Sequence, residues 1–220
     1  ETLDVLNDLA RTYSALGDLA KALAINETVL NAKERSLGAE HPSTVASLIT
    51  LGNLQSRQGD CSNALRSFER AKQISEKTAG FDASSAAALH NGIAAVYSQM
   101  HNYKMAQESF ARAISIWEER PEENRRYIAA ALNNLAVTYE KMLDYLTAQQ
   151  SYERALAIYA ETVGPKHPET ILCLNNIAVN FYKMGDVSAA RLYSDRAISA
   201  KQEGLSAVLA LDERLRLEWQ

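Results

Sequence analysis

The sequence is short of the residues that interrupt helices. Its 220 residues include only 9 glycines and 4 prolines, well under the average usage of about 7% and 5%. β-Sandwiches and barrels need a turn every 8–12 residues or so, and this composition does not supply them. The same scarcity excludes a glycine-rich phosphate-binding fold. Cysteine is rarer still. Cys61 and Cys173 lie far apart, neither in a CxxC pair, and both are expected to be reduced packing residues. An excess of positive charge is also missing. Lys and Arg total 23 against 27 Asp and Glu, a net charge of −4, so no nucleic-acid partner is expected. No apolar run approaches the ~20 residues of a membrane span, so no membrane partner is expected and the location is read as cytoplasmic. No signal peptide is visible. The chain opens on Glu1 and is read as part of something longer.

Alanine is what the chain has in abundance, with 35 residues, and alanine favours helix. It is also placed regularly. The turns Gly17-Asp18, Gly59-Asp60, His101-Asn102, Leu143-Asp144 and Gly185-Asp186 recur every 42 residues without an insertion. Five residues after each turn stands Ala22, Ala64, Ala106, Ala148 or Ala190. Nine after it, the middle copies carry Phe68, Phe110 and Tyr152. Before the turn, Leu132, Leu135, Ala136 and Tyr139 trace a stripe at helical spacing, and Ala148, Tyr152, Ala155 and Leu156 trace another after it.

Each repeat therefore reads as two amphipathic helices. Glycine past the first helix suits a left-handed terminus, and the following Asp or Asn suits a cap. His101 and Leu143 replace that glycine, which predicts strain or a different turn. Gly38, Gly80 and Gly164 close second helices, and His41-Pro42 and His167-Pro168 open the next first helices. The stretch Arg120 to Arg126 is a charged junction without glycine. The expected fold is all-α, a right-handed α-solenoid of five repeats at about 1–40, 41–82, 83–124, 125–166 and 167–204. Stacked pairs share one core, so one domain is expected. Residues 205–220 are read as a helix capping the last repeat, with docking into the groove or onto a second chain as the alternative.

These columns resemble the tetratricopeptide repeat. Its motif residues match Leu135, Ala136 and Tyr139 in the first helix and Ala148, Tyr152 and Ala155 in the second. The 42-residue period, with Leu132-Asn133-Asn134-Leu135-Ala136, Leu174-Asn175-Asn176-Ile177-Ala178 and Val163-Gly164-Pro165-Lys166-His167-Pro168, is similar to the repeats of kinesin light chain. The resemblance covers roughly residues 2–203 and is closest in the fourth and fifth copies.

It implies that the first helices line a concave groove and that the column ten before the turn (Asn7, Ile49, Asn91, Asn133, Asn175) faces a bound peptide. An asparagine amide both donates and accepts, so such a ladder can pair with the backbone of an extended peptide. The alternative is that these asparagines bond neighbouring repeats. Asn134 stands in the next column. Farther along lie Arg11, Asn53, Val137 and Val179, then Arg57, Glu140 and Tyr182. The amino-terminal part is polar and the carboxy-terminal part more apolar. This suggests a ligand with a polar end and a hydrophobic anchor. The face lacks the lysine and the third basic pair of the chaperone carboxylate clamp. The arginine column Arg70, Arg112, Arg154 and Arg196 is read as a solvated face with local ion pairs.

No catalytic constellation is apparent. His41, His90, His101 and His167 have no second ligand at metal spacing, and no metal or cofactor is expected. The sequence reads as a non-catalytic scaffold binding a peptide segment of a partner protein, in its most specific form a kinesin-light-chain-like cargo adaptor. The alternatives are a sensor domain of a larger signalling protein and a self-associating scaffold.

Overall fold

The five polar turns share one design. Asp18, Asp60, Asn102, Asp144 and Asp186 each accept the backbone N–H three residues on, at 3.2, 3.1, 3.4, 3.2 and 2.9 Å. Such a cap contributes roughly 1 kcal/mol to its helix. The residue before the cap is left-handed in every copy. Gly17, Gly59 and Gly185 have φ of 85°, 85° and 84°, and His101 and Leu143 have φ of 61° and 65°. The two substituted turns therefore keep the turn type and carry the strain. Leu143 is exposed, so burial does not offset it. Leu143→Gly is expected to stabilise the protein by about 1 kcal/mol, seen as a higher denaturation midpoint. A lower midpoint would mean that the entropy glycine adds to the unfolded chain outweighs the relieved strain.

The computed structural model describes the backbone of residues 2–79 and 81–218; the side chains of residues 2, 4, 7, 8, 11 and 207–218 are outside the described set. Gly80 lies outside it too. Among the described residues the chain forms ten α-helices in five pairs: α1 (Thr2–Ala15) with α2 (Leu19–Leu37), α3 (Val45–Arg57) with α4 (Cys61–Lys77), α5 (Ala83–Gln99) with α6 (Tyr103–Trp117), α7 (Pro121–Lys141) with α8 (Tyr145–Thr162), and α9 (Pro168–Lys183) with α10 (Val187–Glu218). The chain packs as two units, Glu1–Glu119 and Arg120–Gln220.

In the first unit α3 packs on α4, α2 and α5, and α5 on α6. Phe68 of α4 is fully buried in a core with Leu48, Leu51, Leu89 and Val96. The small columns explain how it fits. A Cβ added at Gly52 of α3 would lie 2.7 Å from the Phe68 ring, and one at Gly92 of α5 would lie 2.5 Å from it. Asn26 holds the column of Phe68, Phe110 and Tyr152. It is fully buried, and neither its amide nitrogen nor its oxygen finds a partner. Burying such a group unpaired costs about 1–3 kcal/mol, so Asn26→Leu is expected to raise stability by a similar amount in denaturant titration. A fall would reveal an internal water serving the amide.

In the second unit α7 packs on α8, α8 on α9, and α9 on α10. Helix α7 begins at Pro121, four residues before the expected start of the fourth repeat. Proline suits the first helical position, and Glu122 and Glu123 lie in the first turn, where the helix dipole favours carboxylates. The charged junction is thus the opening of a helix. Helix α10 runs unbroken to Glu218, so the segment from Leu205 prolongs the last second helix instead of starting a new one. The capping role expected of residues 205–220 falls mostly on side chains outside the described set.

The junction histidines do more than precede proline. His41 Nδ1 accepts the Ser43 amide at 3.1 Å, and His167 Nδ1 accepts the Glu169 amide at 3.3 Å. Each imidazole is the N-cap of the helix its proline opens. Asp82 caps α5 in the same way, accepting from the Ser85 amide at 2.7 Å.

Candidate functional site

The candidate face belongs to the first helices: α1, α3 and α5 in one unit, α7 and α9 in the other. Positions 13, 10, 6 and 3 before the turn fall on one side of each helix, because they step by three and four residues. The structure divides this side in two.

Part of it is committed to the neighbouring helix pair. In the first unit Arg57 donates to the Ser14 carbonyl at 3.0 Å and also to its hydroxyl, and Gln99 Nε2 donates to Ser56 Oγ at 3.0 Å. In the second unit Lys183 Nζ donates to Glu140 Oε1 at 2.6 Å, Asn176 Nδ2 to Asn133 Oδ1 at 3.0 Å, and Arg126 to the Glu169 carboxylate at 2.8 and 3.0 Å. Each of these partners is 43 residues apart. The contact spacing is one residue more than the repeat. An acceptor three before one turn meets a donor two before the next. Column by column, a period of 42 does not reveal such a ladder. Its signal was nonetheless present: Arg57, Gln99, Lys141 and Lys183 are all long donors in one column.

The expected site residues sort accordingly. Glu140 is a correction. It is only 8% exposed, and both carboxylate oxygens are engaged, one by Lys183 and the other by the Tyr152 hydroxyl at 3.0 Å. It is a packing residue between helices, not part of an open face. Asn133 is buried with its oxygen taken by Asn176, as the inter-repeat alternative anticipates. Asn91 is half-buried, and its Oδ1 is buried without a partner. Arg57 is exposed but held by Ser14. The open positions are Asn53 on α3, Asn134 and Val137 in part on α7, and Asn175, Val179 and Tyr182 on α9. The side chains of Asn7 and Arg11 are outside the described set.

The remaining reactive groups are occupied or shielded. Cys173 is fully buried beside the Tyr152 carbonyl, and burial pushes its thiol up to about 12, so it is a weak nucleophile. His90 is held below its ordinary value by burial and then by Arg112 and Lys72. Arg70 ion-pairs with Glu34 at 2.6 Å and donates to the Ala39 carbonyl at 2.8 Å. That arginine thus ties successive second helices together rather than forming only a local pair. Among the described residues no three His, Cys, Asp or Glu side chains gather as a metal site, and no helix is long and apolar enough to cross a membrane.

The tetratricopeptide repeat family model matches residues 1–77, 84–161 and 127–203. The nearly identical repeats of a kinesin light chain from Podosopora anserina have a similar structure, at 22% identity and a TM-score of 0.69, covering 93% of this chain and 97% of that one. BtubC from P. vanneervenii is similar at 22% identity and a TM-score of 0.71, covering 84% and 74%. RapI without ligand is similar at 14% identity and a TM-score of 0.72, covering 94% and 72%. At these identities the likeness is one of fold. No curated protein sequence matches the chain. The 42-residue helix pairs, their small and aromatic columns, and a family model spanning nearly all of the sequence make this chain a member of the tetratricopeptide repeat family.

Proposed function

We propose that the protein is a non-catalytic protein-interaction module whose first helices bind an extended peptide segment of a partner. The observation that carries this reading is the uncommitted half of the first-helix side. The ladder uses the positions ten and three before the turn, yet the position between them, six before it, remains open or partly open at Asn53, Val137 and Val179. A column that is uncommitted from helix to helix suits a ligand running across the helices. Asn53 in the first unit offers amide pairing to a backbone. Val137 and Val179 in the second offer apolar contact for an anchor side chain, and such anchors carry most of the affinity of a small interface. A cargo-adaptor role like that of a kinesin light chain is the most specific version of this reading. The solved kinesin-light-chain repeats support it through fold alone.

The test is selection of binders from a displayed peptide library, followed by measurement on a variant. Asn134→Ala with Val137→Glu is expected to weaken a selected peptide tenfold or more, about 1.4 kcal/mol or above. A selected peptide that binds this variant as tightly as it binds the native chain would sink the reading.

A further inference from the structure

Two faces of the chain are built for a neighbour that the chain does not supply. The first is on the last helix pair. Position three before the turn is a buried, hydrogen-bonded acceptor at Ser56 and Glu140. On α9 the same position is Tyr182, 69% exposed. Helix α10 repeats the pattern. On α8, the positions 2, 13 and 20 after the turn are Tyr145, Leu156 and Val163, all partly buried. On α10 they are Val187, Ile198 and Leu205, all exposed, with Ile198 at 51%. The α8 side with these columns is the one α9 covers, since Asn180 Nδ2 donates to the Tyr145 carbonyl and to Gln149 Oε1, each at 3.0 Å. The α10 columns are apolar as though a further first helix lay against them.

The second face is on the first helix. Position twelve before the turn packs toward the preceding second helix. Ser47 takes a bond from Lys33 of α2 at 2.9 Å, and Cys173 lies against the Tyr152 carbonyl of α8. Ser47, Leu89 and Cys173 are buried there, but Val5 in the same column is 66% exposed. Leu9, in the column of buried Leu51 and Ile177, is 41% exposed.

We propose that the chain associates head to tail, with α9 and α10 of one copy receiving α1 of a second copy in the way α7 and α8 receive α9. The two open faces are the two halves of one interface already present within the chain. The ladder residues at the ends favour this occupant over another repeat of the internal kind. The donor column, Arg57, Gln99 and Lys183 inside the ladder, holds Ala15 in α1. The acceptor column ends on Tyr182. A head-to-tail junction sets a large aromatic side chain against a small alanine, replacing a polar rung by an apolar one. Such a heterologous contact does not close on itself in a pair, so association is open-ended.

The experiment is sedimentation of the 220-residue chain over a range of concentrations, with Leu9→Glu blocking one face and Ile198→Glu the other. The weight-average mass of the native chain is expected to climb past twice the monomer mass of 24.3 kDa. Each variant alone is expected to stay monomeric, and an equal mixture of the two to stop at a two-chain complex. Circular dichroism checks that both fold, and Val187→Glu serves as a second block of the carboxy-terminal face. Three results would each overturn the proposal. One is a native chain that stays monomeric throughout, which would leave the faces to a different partner. Another is a Leu9→Glu chain that associates as strongly as the native one, which would mean symmetric pairing of last helix pairs. The third is a mixture that does not pair.

Discussion

Gly92→Ala is expected to destabilise the protein by about 2–3 kcal/mol, although alanine is the better helix former. The new Cβ would lie 2.5 Å from Cζ of Phe68 and 3.0 Å from Oδ1 of Asn53. The ring has nowhere to retreat, because Gly52 bounds its other side and a Cβ there would lie 2.7 Å from Cε1. Phe68 is fully buried, so relief requires α3 and α5 to move apart and open a packed core. The clash is specific to the ring, which gives the prediction a second arm. In a Phe68→Leu background the atom in conflict is gone, and Gly92→Ala is expected to be neutral or mildly stabilising. The coupling between the two substitutions should then be about 2 kcal/mol or more. Denaturant unfolding of the four chains measures it. Additive effects would show that the helices yield without involving the ring.

The second large effect concerns Glu140. Its carboxylate is buried between the Tyr152 hydroxyl at 3.0 Å and the Lys183 ammonium at 2.6 Å. Stranding a buried charge costs about 3–5 kcal/mol, but Lys183 is partly in water, with a side chain 44% exposed. Lys183→Met is therefore expected to cost about 2–3 kcal/mol. Replacing all three groups together, Glu140→Leu with Tyr152→Phe and Lys183→Met, should recover most of the loss, since an apolar set of similar volume needs no partner. A Lys183→Met chain as stable as the native one would mean that solvent screens the carboxylate. Alkaline pH gives an independent check. Burial, and then the Glu140 carboxylate, hold the Tyr152 hydroxyl above its usual 10.0. The unfolded chain thus ionises first, and stability present below pH 10 is lost as the pH rises beyond it. Tyr152→Phe should remove part of that alkaline loss, leaving the share due to Tyr159, which burial also raises.

The candidate face was only half legible. The stripe of α7 and α9 was correct as a side of a helix, and Val137, Val179 and Asn53 remain on it as open positions. Glu140 and Asn133 stand at the same spacing and look equivalent, yet both are buried between helices. Nothing in their own columns separates them from Val137. What separates them is the residue 43 positions on: Lys183 for Glu140 and Asn176 for Asn133. Asn26 was not legible either, because it occupies an aromatic column without an aromatic side chain, and only burial reveals that its amide lacks partners.

The sequence by itself determined the helix pairs, their period and their turns. These are local matters. A cap needs an acceptor three residues from a free amide, and a left-handed residue suffices to end the first helix, so five equivalent turns follow from five equivalent strings. Even Leu143 and His101 conform to the turn, because the following cap and the helices on either side hold their φ positive. Only the tertiary structure decided the offset between neighbouring helices, and with it which polar residues are rungs and which are open. That offset is set by how side chains such as Phe68 wedge between Gly52 and Gly92. Such close packing depends on atoms from three helices at once, and a period counted along one chain does not contain it.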